Sequence, residues 1–402
     1  MASYQVTVDE HLLTSLFSRQ EGLGQLVEQV LNQILQAQAA QALQAQPHER
    51  TPDRQGYRNG QRERSLQTRV GTLTLQVPRL RGGEFSPELF ERYQRSEQAF
   101  VLALLEMVVQ GVSTRKVEAI TKELCGAEFS KSTVSVLCQR LDPLVASWNG
   151  RDLSGQKYPF LVVDALVIRV REEGRVRPCS ALIASGVNEK GFREVLGLQV
   201  GDSESEASWS ELFVWLKGRG LWGVDLVTSD DHAGLVCAVR KQFQGATWQR
   251  CQTHFARNVL EACPEKERAA LKARLHRIFE AADPLEAREE LAQTLCLFSG
   301  KAEKALERLE GGFEDATAVL SLPERYRKRL RTTNGMERLN EEIRRRERVI
   351  RIFPNRASAE RLLGALLMEQ DEAWSTGRVY LEMAEYGQWR EAREGARAAA
   401  AP

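Results

Sequence analysis

Apolar residues run almost unbroken from Phe160 to Ile168, and one acid, Asp164, interrupts them at the centre. The run is rich in Val, Leu and Ile and lies between Gly155 and Gly174, which predicts a buried β-strand over 159–170. Further apolar runs predict strands at 178–187, 194–200, 224–229 and 247–253. Helical spacing predicts helices from Ala207 to Gly218 and from Ala233 to Phe243. Three strands in succession, then strand–helix alternation, describe a meander extended by parallel strands through crossover helices.

That order fits an α/β core of ribonuclease-H-like type over 151–254, completed by a core helix within 331–355. Between them, 255–330 is helical and highly charged, an all-helical insertion. Residues 356–402 hold a helix over 356–385 and, from Glu391, a frayed tail.

The N-terminal third is mainly helical and less regular. Val27, Val30, Leu31, Ile34, Leu35 and Leu43 recur at helical spacing within 8–46, so region 1–47 is either a self-association helix or one packed on its own domain. Region 48–96 turns Arg-, Gly- and Pro-rich with one short alternating strand, Thr72–Val77. It is either a DNA-contacting segment or a solvated basic linker. In region 97–150, Ser113 or Thr114 caps a helix that stops near Gly126, and Ser130 caps the next. The pair is a helix-turn-helix candidate, with an ordinary helix pair as the alternative.

Composition narrows the classes. The chain has 402 residues, 42% hydrophobic and 28% charged, as expected of a globular protein of two or three domains. A formal net charge of +1 gives no global basic field, so any signal for nucleic acid is local. Between Gln46 and Gly82 eight arginines face three acids, and between Arg325 and Arg351 eleven Arg and Lys face four Glu. Arg58, Arg62, Arg79, Arg81, Arg115 and Lys131 in the N-terminal third, and Arg338, Arg344, Arg345 and Arg346 later, are the candidate DNA contacts. Seven scattered cysteines without a Cys-x-x-Cys pair point to reduced thiols and a cytoplasmic setting. No secretory signal and no run of about 18 apolar residues is present, so no membrane partner is expected.

Three acids stand out. Asp164 is costly within a strand unless it is paired with an Arg, protonated or given a cation. Asp230 directly continues the strand 224–229, where ligands of open α/β sheets gather; its neighbour Asp231 is better placed to cap the following helix. In the helix from Asn334, Glu341 and Glu342 have Arg345 and Arg346 four residues on, whereas Glu337 has Glu341 at that spacing and is left without a local ion-pair partner. A capping box from Asn334 to Glu337 is the alternative. Three carboxylates brought together repel by about 4 kcal/mol per pair at about 4 Å and an effective dielectric near 20, so they require cations between them. Hard oxygen ligands suit Mg²⁺ or Mn²⁺, and two such ions serve in-line phosphoryl displacement. Cys251 and His254 form half a zinc site on spacing alone; a structural or substrate-proximal role at the end of the last strand is the preferred reading. His232 either orients Asp230, touches phosphate or is a satisfied core histidine.

The stretches Gly56–Gly60, Val77–Arg79, Gly111–Arg115, Val163–Ala165, Ser229–Leu235, Arg250–His254, Thr332–Asn340 and Phe353–Asn355 occur in an order that resembles bacterial insertion-sequence transposases of the Mutator type. The resemblance implies an Asp-Asp-Glu triad of Asp164, Asp230 and Glu337, with 255–330 as the family's insertion. It implies two Mg²⁺ or Mn²⁺ ions, terminal inverted repeats and target DNA as substrates, and a homodimer or higher multimer on DNA. The family commonly has a small residue where Asp231 stands. A ribonuclease-H-like nuclease that cuts without joining, and a non-catalytic regulator derived from a transposase, are the rival expectations. Without DNA and metal, Glu337 is expected to stand apart from the two aspartates.

Overall fold

The computed structural model describes residues 22–49, 51–52, 54–68, 70–81, 98–125 and 130–399. The chain falls into two units, residues 1–139 and 140–402.

In the first unit, helix α1 (Gly22–Leu43) lies on an antiparallel hairpin of β1 (Tyr57–Thr68) and β2 (Gly71–Arg81). Strand β2 alternates cleanly, with Leu73, Leu75 and Val77 buried against Leu35 of the helix and Leu66 of β1. Polar residues of α1 reach the edge of β2: Glu28 accepts from the Thr74 N–H at 2.8 Å and Asn32 from the Gln76 N–H at 2.7 Å. An otherwise open strand edge is thereby satisfied. The sequence pattern had predicted one strand here, at 72–77; β1 escapes it because Leu66 and Thr68 are its buried positions and the rest is polar on both faces.

Helices α2 (Gln98–Val109), α3 (Thr114–Cys125) and α4 (Lys131–Cys138) follow. Ser130 caps α4 by accepting the Thr133 N–H at 3.1 Å, and Ser113 accepts from the Lys116 N–H at 3.3 Å. The expected helix start before 22 and the stop near Gly126 lie outside the described residues.

The second unit is a mixed α/β structure built on a five-stranded sheet of order β5-β4-β3-β6-β7. Strands β3 (Phe160–Glu172), β4 (Arg175–Val187) and β5 (Arg193–Gly201) form the antiparallel meander. Strands β6 (Leu226–Ser229) and β7 (Thr247–Arg250) add in parallel. Helix α6 (Glu206–Gly218) leads to β6, and α7 (Ala233–Gln242) leads to β7. Trp209, Leu212, Phe213 and Leu216 of α6 pack with Leu235, Val236 and Val239 of α7 on Leu161, Val163 and Val227 of the sheet. Helix α5 (Asp142–Asn149) belongs to this unit, and its Trp148 indole donates to Asp371 at 2.8 Å.

Strand β7 ends at Arg250 instead of running to 253. Cys251 turns the chain, its N–H donating to Ser229 O at 2.7 Å, and α8 (Gln252–Glu261) begins at the next residue. The helical segment continues as α9 (Glu265–Phe279), α10 (Pro284–Phe298), α11 (Glu303–Thr317) and α12 (Glu324–Leu330), with Phe255, Leu271, Leu275, Ile278, Leu309 and Phe313 in a core of its own.

Helix α13 (Asn334–Ile350) then returns to the sheet. Its end is pinned by Phe353, which is buried and exchanges backbone hydrogen bonds of 2.8 Å with Arg169 and Arg171 of β3. Asn355 caps α14 (Arg356–Ser375) by accepting the Ser358 N–H at 2.8 Å. The C-terminal pattern departs from expectation: α14 stops at Ser375 and a separate α15 runs Ala384–Ala399. Tyr386 anchors it, stacking edge-on against Phe160 and donating its hydroxyl to Asp225 at 2.5 Å.

Candidate active site

Asp164 sits at the middle of β3, opposite Ile183 of β4. On its other side the parallel pairing with β6 ends at Val162↔Thr228. Two residues further on stand Asp164, still within β3, and Asp230, the first residue past the end of β6, near enough for the Asp230 carboxylate to act on Asp164. Asp164 is held from two directions: its Oδ1 accepts the Ala165 N–H at 2.9 Å, and its Oδ2 accepts from Asn340 Nδ2 at 2.8 Å. Burial, reinforced by the Asp230 carboxylate, pushes Asp164 up to about 7 against the pull of the Ala165 N–H and His254. Asp230 is also raised, chiefly by burial, with His254 and His232 opposing.

Asp231 does not cap α7. Its carboxylate pairs with Arg250 at 2.9 Å, and the residue at the cap is His232, whose side chain makes no capping hydrogen bond. The two neighbouring acids are thus separated in role by their partners: Asp231 faces an arginine, Asp230 the aspartate and the histidines.

Glu337 lies in the first turn of α13. The cap is Thr333 rather than Asn334, which moves Glu337 one place beyond a capping-box position, and no side-chain cap bond forms. Glu337 Oε1 stands 3.5 Å from His254 Nε2 and 3.4 Å from the Thr333 hydroxyl. Arg345 turns to Glu342, in two hydrogen bonds of 3.0 and 2.8 Å, rather than to Glu341 as helical spacing suggested.

His254 is in the first turn of α8, not at the end of a strand. Its pKa is raised by the Cys251 sulfur first, then by Cys251, Glu337 and Asp230 charge, against desolvation. The Glu337 and Asp230 carboxylates thus favour the protonated form of this imidazole. Burial alone would raise Cys251, but hydrogen bonds with His254 and Thr333 outweigh it and bring the thiol below its ordinary value. His232 Nδ1 stands 3.5 Å from Glu204 Oε1.

Glu204 is a fourth acid at this site that the sequence did not single out. It precedes α6, accepts from the Trp209 indole at 3.1 Å and is raised by burial and by Asp230. Gly234 permits the arrangement: a Cβ there would stand 2.5 Å from Glu206 N, so the starts of α6 and α7 can approach this closely only at a glycine. Asn340 was missed too. The single signal for it was its place three residues after Glu337, on the same helical face.

The basic candidates divide. Arg62, Arg79, Arg81, Arg115 and Lys131 of the first unit are exposed, as are Arg338, Arg344 and Arg345 of the second. Arg58 is drawn inward, donating to Gln36 at 2.7 Å. Arg346 is buried and pairs with Glu342 at 3.0 Å and Glu369 at 4.0 Å. Among the described residues no helix is long and apolar enough to cross a membrane.

Comparison with known proteins gives these features a family. The model of the Mutator family of transposases matches residues 2–377. The transposase for insertion sequence element IS256 in transposon Tn4001 of Staphylococcus aureus is 48% identical over 347 residues, covering 86% of this chain and 89% of that one. The transposase for ISRM5 of Rhizobium meliloti is 45% identical over 368 residues, 92% of each chain. That for IS1081 of Mycobacterium tuberculosis is 40% identical over 334 residues, covering 83% of this chain and 80% of that one. Among solved structures, the Drosophila P element transposase strand transfer complex aligns over 78% of this chain and 87% of that one, at a TM-score of 0.30 and 11% identity. With a family model spanning nearly the whole chain and relatives this similar over most of their length, the protein belongs to the Mutator family of transposases.

Proposed function

We propose that this DNA transposase cuts and joins strands with Asp164, Asp230 and Glu337 as its carboxylate triad, on a core of ribonuclease-H-like type formed by 151–254 and 331–355. The observation that carries the reading is a pair of half-buried acids, Asp164 within β3 and Asp230 just past the end of the adjacent parallel strand β6, both raised by desolvation. Two such carboxylates are stable together with a proton or a cation between them. Their all-oxygen donor set fits a hard ion, Mg²⁺ or Mn²⁺. Asp164 and Asp230 would hold two ions and Glu337 would complete one of them. Held by these carboxylates, such ions would supply Lewis acidity for an in-line displacement at phosphorus.

The chain's own groups prepare the site. Asn340 fixes the rotation of the Asp164 carboxylate, and His254 stands 3.5 Å from Glu337 with its proton favoured by the Glu337 and Asp230 carboxylates. Exposed Arg338 and Arg344, on the helix of Glu337, offer charge to backbone phosphates beside the scissile bond. In this reading the first unit, including the 48–96 hairpin region and the helices from 97 onward, binds the terminal inverted repeats. Two ends and target DNA are brought together by a homodimer or higher multimer, on the bacterial nucleoid.

The test uses DNA from both ends flanking the gene, incubated with protein and Mg²⁺ or Mn²⁺ beside an Asp164→Asn control. Joined products that vanish in the control are expected. Cleavage without joining would indicate a nuclease, and joining that survives in Asp164→Asn would overturn the triad.

A further inference from the structure

The starts of α8 and α13 meet beside the two aspartates, and three different donors converge there. One ligand atom each from Cys251, His254 and Glu337 lies within 4.8 Å of the other two. The set is a sulfur, an imidazole nitrogen and a carboxylate oxygen, unlike the all-oxygen pair of Asp164 and Asp230. Cys251 is fully buried, whereas the His254 and Glu337 side chains are about one-third exposed, at 30% and 32%. A cation seated between them would keep an open face.

Local structure holds the donors in place. Cys251 and His254 are three residues apart across the first turn of α8, hence on one face. The Thr333 N–H and hydroxyl both donate to the Cys251 sulfur, at 3.4 and 3.3 Å. Donors of this kind orient a thiolate ligand and tune it. The Gln252 N–H donates to Arg331 O at 3.0 Å, and Thr253 pairs with Asn334 at 3.2 Å, so the two helix starts are tied together.

We propose that Cys251, His254 and Glu337 form a binding site for a borderline-soft divalent cation of the Zn²⁺ class, distinct from the hard-ion position at Asp164 and Asp230. Tetrahedral Zn²⁺ with bonds of about 2.3 Å to sulfur and about 2.0–2.1 Å to nitrogen places its ligand atoms roughly 3.5 Å apart. The His254–Glu337 separation is already 3.5 Å, and small side-chain rotations close the rest. Three protein ligands leave one position for water or a phosphate oxygen. Spacing along the sequence offered two of these ligands; the fold supplies the third. A consequence that rests on the triad reading is that Zn²⁺ here withdraws Glu337 from Asp164 and Asp230 and so opposes Mg²⁺-dependent cleavage.

The test is titration of the full-length, metal-free protein with Co²⁺, without DNA, followed by displacement with Zn²⁺. One equivalent is expected to produce thiolate-to-cobalt charge-transfer absorption that Zn²⁺ abolishes. Cys251→Ser removes the band, and His254→Gln and Glu337→Gln each weaken Co²⁺ affinity by more than the about ten- to a hundredfold that loss of a partner orienting a ligand costs. Replacing the exposed Cys237 and Cys296 with serine leaves the band in place. Circular dichroism monitors the fold of every variant, and if Cys251→Ser does not fold, the two other variants decide. No thiolate band in the wild type, a band that persists in folded Cys251→Ser, or unchanged affinity in both His254→Gln and Glu337→Gln would overturn the site. Asp164→Asn retains the band if the site is independent of the hard-ion position, so this result stands apart from failure of the triad.

Discussion

Asn340 Nδ2 donates to Asp164 Oδ2 at 2.8 Å, tying the helix that carries Glu337 to the strand that carries Asp164. The bond is partly buried, and Asn340 lies one turn beyond Glu337, so it fixes both the carboxylate plane and the seating of α13. Asn340→Ala is expected to lower strand cleavage about ten- to a hundredfold, as loss of a partner that orients a metal ligand does. Stability should fall by about 1–3 kcal/mol, the cost of a lost buried hydrogen bond. Wild-type cleavage in a folded Asn340→Ala protein would mean that Asp164 is held by strand geometry alone.

The raised acids make the metal-free protein pH-sensitive. Asp164 titrates near 7 when folded and near 3.9 when unfolded, so the folded state binds its proton more tightly. The stability this group contributes is full below about pH 4 and is lost as pH rises through about 7. Asp230 and Glu204 shift in the same direction. In EDTA, Asp164→Asn should therefore raise the unfolding temperature above wild type increasingly between about pH 5 and 8. Mg²⁺ should stabilise the wild type most at the upper end of that range. A difference between the two proteins that does not vary with pH would remove Asp164 as its source.

The neighbours Asp230 and Asp231 should separate by function. Asp230→Ala is expected to reduce cleavage on the order of a thousandfold, as loss of a central catalytic group does. Asp231→Ala removes the 2.9 Å partner of Arg250, a side chain only 14% exposed. Its cost is expected in stability, about 1–2 kcal/mol given the half-exposed aspartate, with cleavage within about tenfold of wild type. Equal loss of cleavage in both, with both folded, would remove the distinction that their partners draw.

The apolar run around Asp164 made β3 legible because burial on both faces leaves a continuous hydrophobic signature. The same logic found the remaining sheet strands, and the strand-end position of Asp230 followed. Strand β1 was invisible for the opposite reason: a hairpin arm with arginine and glutamine on both faces has no period to read. The switch from β7 to α8 at Cys251 was also illegible, since it depends on a backbone bond to Ser229 and not on local pattern. His254 was consequently assigned to a strand end. Glu204 sits among Asp202, Ser203, Ser205 and Glu206, a run that reads as a solvated helix start. It becomes part of a site when Gly234 lets α7 close on α6.

Three consecutive arginines on α13 should behave as two classes. Successive residues on a helix point about 100° apart, so Arg344, Arg345 and Arg346 cannot share one environment. Arg344 is exposed, Arg345 is exposed and paired to Glu342, and Arg346 is buried between Glu342 and Glu369. Arg344→Ala should weaken DNA binding without sequence preference and reduce the slope of log affinity against log salt by about 1, the signature of one lost phosphate contact. Arg346→Ala should leave that slope unchanged and instead lower stability by about 1–2 kcal/mol, mainly through lost packing of a buried side chain, since the half-exposed Glu342 and Glu369 carboxylates stay solvated. Fluorescence anisotropy with end-bearing duplex at several salt concentrations, beside thermal unfolding of each variant, measures both effects. A reduced salt slope in Arg346→Ala would mean that the helix turns this side chain outward on DNA, and its pairing with Glu342 and Glu369 would then belong to the DNA-free protein alone.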